Sequence, residues 1–166
     1  MSVETMIEAK GWAECGLPGI ADRAALAVLG YLKLDGPFEI ALLGCDDERI
    51  AALNAEFRTR PRPTNVLSWP SEDRAAARDG DRPPAPDGSD PELGDIAIAF
   101  ETCAREAVAA GVPLAQHATH LVVHAVLHLL GYDHERPGDA ELMEGTEVEI
   151  LAQLGYPDPY TVASDA

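Results

Sequence analysis

Apolar side chains follow two periods along this chain of 166 residues. Alternation at period two marks strands, and recurrence every three to four residues marks helices. Residues 3–9 are short and mixed, a candidate first strand. From 13 to 34, Leu26, Leu29, Leu32 and the alanines between them keep helical spacing around a Gly16-Leu17-Pro18-Gly19 start, and Gly36-Pro37 breaks the helix. Residues 38–43 read as a strand ended by Gly44, after which Asp46 or Asp47 caps a helix through Ile50, Leu53 and Phe57. Residues 64–69 form a strand closed by Pro70, and residues 93–100 are the strongest strand candidate. A helix follows from Glu101 to Gly111, and Pro113 opens a long one that runs to Leu130 and stops at Gly131. After His134, an Asp139-capped helix runs through Met143, Val148, Ile150, Leu151 and Leu154.

Strands interleaved with helices first, and helices gathered at the end, predict an α+β domain with one small sheet. Residues 71–92 interrupt the pattern. They are rich in Pro, Asp and Gly and nearly devoid of large apolar groups, so they read as a long mobile loop within a single domain spanning 1–157. The tail at 158–166 is expected to fray. At this length one core suffices without disulfide or metal.

The chain carries 12 Lys+Arg against 29 Asp+Glu, a net charge of −17. This excludes a bulk-basic nucleic-acid binder; any RNA contact must come from a local basic site. Cys15, Cys45 and Cys103 are odd in number and far apart, which fits reduced thiols in a cytoplasmic protein. No basic-then-apolar leader opens the chain, and His124 and His128 break its longest apolar stretch.

All five histidines fall between positions 117 and 134. At about 100° per residue, His117, His120, His124 and His128 lie at about 0°, 300°, 340° and 20°, one stripe of an otherwise apolar helix. Each imidazole on such a buried helix must have its nitrogens satisfied. His124 and His128 are four apart, so their rings sit about 6 Å apart along the axis, the spacing that grips one metal ion. Gly131 ends the helix, and the Tyr132-Asp133 turn swings His134 back as a third ligand. Three neutral imidazoles with an open fourth position describe a catalytic zinc site holding water. His120 with His124 is a competing pair lacking a matching third ligand; His117 and His120 otherwise read as supporting or partly exposed residues. The position after His124, where metalloproteases carry a glutamate base, is Ala125, which argues against peptidase chemistry. Arg58, Arg60 and Arg62 form the only dense basic group, and guanidinium suits bidentate phosphate contact. Asp133 reads equally as a support for an imidazole or as a turn residue, and Asp95, Thr64 and Asn65 are candidate neighbours of the site. No residue stands out as a general base.

Residues 124–134, His-Ala-Val-Leu-His-Leu-Leu-Gly-Tyr-Asp-His, resemble the HGxLHLxGYDH signature of the YbeY family of bacterial rRNA maturation factors. Leu53-Asn54 through Phe57-Arg58, then Pro63 to Pro70, resemble its LNxx[YF]R and PT[DN]VLSFP segments, and Leu93-Gly94-Asp95-Ile96 its LGDI strand. The closing helix and Gly155-Tyr156 extend the likeness over about residues 50–157, while the first 35 residues carry little of it. Ala125 and Trp69 are mild departures from the family's Gly and Phe. The resemblance implies a mixed four-stranded sheet with about five helices, related to zincins. It implies a metal-dependent, single-strand-specific endoribonuclease of ribosomal RNA processing, with His124, His128 and His134 as ligands of one Zn²⁺ and Arg58 as a functional arginine. His124 and Arg58 are the residues expected to carry catalysis. Expected partners are single-stranded ribosomal RNA and ribosomal or ribosome-assembly proteins, with neither membrane nor DNA. The competing reading is a metal-stabilised assembly factor with little catalysis of its own; a purely structural zinc is a third.

Overall fold

The computed structural model describes residues 1–58, 63–86 and 89–160, without the side chain of Arg58. The elements are β1 (Ser2–Ile7), α1 (Lys10–Cys15), α2 (Leu17–Tyr31), β2 (Glu39–Cys45), α3 (Asp47–Arg58), β3 (Val66–Pro70), β4 (Glu92–Ala99), α4 (Phe100–Ala110), α5 (Leu114–Leu129) and α6 (Pro137–Gln153). The four strands form one sheet in the order β1-β2-β4-β3. β1, β2 and β4 run parallel, and β3 lies antiparallel to β4 at the edge.

The expected α+β architecture is present, with six helices among the described residues where about five were expected. The extra one arises because Gly16, at φ 80°, breaks the single helix read from 13 to 34 into α1 and α2. A left-handed residue cannot continue a helix, and glycine adopts that conformation without cost. The same helix ends at Tyr31, well before Gly36-Pro37, with Lys33 left-handed at φ 57°. Asp46 is the cap of α3, its Oδ1 accepting the Arg49 N–H at 2.8 Å. Asp139 does not cap α6. Pro137 sets the helix start one step after Arg136, and Asp139 in the first turn instead accepts from Arg136 Nε at 2.6 Å and Gly80 N at 2.9 Å.

One face of the sheet carries the main core. Ile40, Leu42, Leu93, Ile96 and Ile98 pack with α2 and α5. α5 is gripped by α2, α4, α6 and β3, which explains why its apolar residues run nearly all round. On the other face α3 lays Ile50 and Leu53 over Leu67, Ala97 and Ala99. Asp47 fastens α3 to α4: its Oδ1 accepts the Thr102 N–H and hydroxyl, and Oδ2 accepts from Arg105 at 3.1 Å. Burial opposes the Asp47 charge, but these hydrogen bonds outweigh it and lower the pKa. Among the described residues no helix is long and apolar enough to cross a membrane.

The segment between β3 and β4 holds no regular element among its described residues, yet it is tied to the body by polar contacts. Arg74, 7% exposed, donates to the Leu129 carbonyl at 2.9 Å, the Leu93 carbonyl at 3.2 Å and Ser71 Oγ at 2.9 Å. Arg136 donates to the carbonyls of Ala76 and Ala77. Asp158–Tyr160, read from the sequence as tail, also folds back, with Tyr160 OH on Glu147 at 2.9 Å.

Arg74→Ala is expected to lower stability by about 2–4 kcal/mol, because two buried carbonyls lose a charged donor. Urea unfolding checks this, and limited proteolysis should show faster cleavage within residues 71–92. Asp47→Ala should cost about 1–2 kcal/mol at neutral pH. Because folding lowers the Asp47 pKa below its ordinary 3.8, that contribution is full above 3.8 and lost as pH falls below it. Denaturation of both proteins across that range should bring their stabilities together in acid.

Candidate metal centre

α5 presents four imidazoles along one flank, and each of the four meets a polar group from another element. His117 Nε2 donates to Glu106 Oε1 on α4 at 2.8 Å, and Asn65 Nδ2 donates to the same oxygen at 3.1 Å. His120 Nε2 donates to Glu147 Oε1 at 3.0 Å, and His124 Nδ1 to that oxygen at 3.2 Å. His128 Nδ1 shares a short hydrogen bond with Ser68 Oγ on β3. A carboxylate only accepts, so the His124 proton sits on Nδ1. That leaves the lone pair of His124 on Nε2, on the far side of the ring from Glu147.

The third expected residue follows the turn. Gly131, at φ 105°, lies where any Cβ would run into the Arg74 carbonyl, so the anchored loop and the glycine fix this corner together. Tyr132 N donates to the Leu127 carbonyl at 3.1 Å, and Asp133 Oδ1 accepts the His134 N–H at 2.7 Å. Asp133 thus braces the backbone of the residue that bears the third imidazole. The His134 ring stacks beside His124, with centroids 5.5 Å apart and planes 28° apart. His124 and His134 are therefore adjacent, and His128 lies one turn along from His124. Among the described residues no group of three or more His, Cys, Asp or Glu side chains is arranged to hold a metal ion.

Arg58 closes α3, and Arg60 and Arg62 lie outside the described residues. Asp95 pairs in register with Trp69 and faces out on the α3 side of the sheet, away from the imidazoles. The sequence reading missed Ser68 and Glu147. Glu147 left a trace: it lies four after Met143 and four before Leu151, a carboxylate on the apolar stripe of α6. It is 0% exposed. Burial pushes its pKa up, but the hydrogen bonds from His120 and His124 prevail and hold it at about 2. Burial raises the Cys45 thiol to about 12 and also raises Cys103.

Comparison with known proteins decides the family. The chain matches the family described as Endoribonuclease YbeY over residues 15–155. It belongs to that family. It is 58% identical over 167 residues to an endoribonuclease YbeY of Ruegeria pomeroyi, covering 98% of this chain and 99% of the relative. A second, from Paracoccus denitrificans, is 55% identical, covering 95% and 89%. A solution structure from Thermotoga maritima shares the fold, with a TM-score of 0.56 at 20% identity over 92% of this chain and 91% of that one. The match thus reaches into the N-terminal region, where motifs alone carried little.

Glu147→Ala should cost about 3–5 kcal/mol, because it leaves two half-buried imidazoles and the Tyr160 hydroxyl without their shared acceptor. Urea unfolding checks it, and a loss below about 1 kcal/mol would show that the donors find other partners.

Proposed function

We propose that this chain is a metal-dependent endoribonuclease that cuts single-stranded regions of ribosomal RNA during ribosome maturation, in the cytoplasm. The family sets the reaction class, hydrolysis of RNA. The observation that carries the metal assignment is the engagement of Nδ1 in both His124 and His128, by Glu147 and Ser68. Supporting groups on one ring nitrogen are how metal-binding histidines are oriented. Together with His134 beside His124, the donor set is three imidazoles, which suits one zinc ion.

When bound, such an ion supplies Lewis acidity toward a phosphoryl oxygen and acidifies water. The remaining work falls to the chain. Glu147 holds the His124 proton on Nδ1, and Ser68 holds His128 from the β3 side. Arg58, at the end of α3, clamps non-bridging phosphate oxygens and offsets the charge that builds on them during cleavage. Ala125, 1% exposed, leaves the position after His124 without a base, so peptide hydrolysis by the glutamate-assisted route has no counterpart here. A net charge of −17 repels RNA at a distance and favours delivery by basic ribosomal or assembly proteins.

Nuclease-free protein should cut a single-stranded RNA in the presence of Zn²⁺ and stop when the metal is chelated. Arg58→Ala, His124→Ala and His134→Ala should each lower the rate by about 100-fold or more with the fold intact by circular dichroism. Unchanged cleavage in the Arg58 and His124 variants would refute the reading and favour an assembly factor without its own catalysis.

A further inference from the structure

Glu147 is a fully buried carboxylate with three side-chain donors, two from α5 and one from the segment after α6. His120, one turn before His124 on α5, donates at 3.0 Å. His124 itself donates at 3.2 Å. Tyr160, from the segment after α6, reaches both oxygens, at 3.0 and 2.9 Å. All three donors meet on Oε1. Tyr160 is held for this contact: its N–H donates to Asp158 Oδ1 at 2.8 Å, and its ring meets His120 edge-on at 5.5 Å and 87°. Burial and the neighbouring Glu147 charge raise the Tyr160 pKa, so its hydroxyl stays a donor.

A buried carboxylate is stable only where its oxygens are saturated with well-placed donors. Tyr160 and His120 supply what His124 alone does not, and they restrict where the carboxylate oxygens point. The position of Oε1 decides which nitrogen of His124 carries the proton. We infer that Tyr160, His120 and Glu147 form a positioning device for His124, in which the segment beyond α6 locks the carboxylate that fixes the Nδ1–H tautomer and turns the Nε2 lone pair toward the site. This deepens the assignment of His124 proposed above and rests on it for its use, though the tautomer itself does not depend on any bound ion. None of the three is a catalytic residue; each acts through His124. The segment after α6 becomes a part of the site.

The test reads the ring directly. Nitrogen NMR of the metal-free protein, at a pH where the ring is neutral, should show His124 protonated on Nδ1. Tyr160→Phe keeps the ring on His120 and removes only the hydroxyl at a residue 44% exposed, so the protein should fold as before. It should broaden or shift the His124 nitrogen signals and weaken Zn²⁺ binding, measured calorimetrically, by about threefold to tenfold. Glu147→Met, of similar volume, should abolish the Nδ1–H preference and weaken Zn²⁺ by about 10–100-fold. His124 protonated on Nε2 in the wild-type protein overturns the inference without any variant, as do Tyr160→Phe signals and affinity identical to wild type. If His124→Ala leaves Zn²⁺ binding intact while the tautomer is as stated, the metal assignment fails and the positioning of the ring stands.

Discussion

A helix packed on nearly every side cannot carry imidazoles unless each finds a polar partner. α5 is in that position, between the sheet, α2, α4 and α6. The price of placing four histidines on it is a matching set of polar groups on the elements that enclose it: Glu106 on α4, Glu147 on α6 and Ser68 on β3. The site follows from that requirement. Glu147 meets His120 and His124 from α6, and Ser68 ties His128 to the edge strand.

The same requirement links the site to distant segments. β3 must lie antiparallel at the sheet edge to present Ser68 to α5 while Trp69 faces the other side. Arg74 bonds the end of α5 to the start of β4 and stands over Gly131, the residue that turns the chain toward His134. Residues 71–92 thus help set the corner that the third histidine follows. Arg136 pins the same segment from the start of α6, the helix that carries Glu147.

Much of this was legible in the chain, and what was missed has physical causes. Strands and long helices showed because their apolar periods are the packing surfaces themselves. The break at Gly16 and the early end of α2 did not, since helical spacing continues past residues whose backbone has turned left-handed. The histidine stripe and the turn before His134 were readable because they depend on spacing within one element. Glu147 and Ser68 lie 23 and 60 residues from the histidines they hold, and no local pattern reports a pairing across such distances. The polar character of residues 71–92 hid their anchoring, because the tethers described are polar bonds through Arg74, Arg136 and Asp139. Tyr160 was lost in the tail for a like reason: a hydroxyl on Glu147 and one edge-on ring contact hold it, not a hydrophobic stripe.

The central claim is that His124, His128 and His134 together bind one ion. X-ray absorption at the zinc edge on the zinc-loaded protein tests it most directly. The account predicts three imidazole nitrogens at about 2.0–2.1 Å plus an oxygen, with one imidazole lost in His134→Ala. Sulfur in the coordination shell, or a three-imidazole spectrum that persists after His124 is replaced, would contradict it.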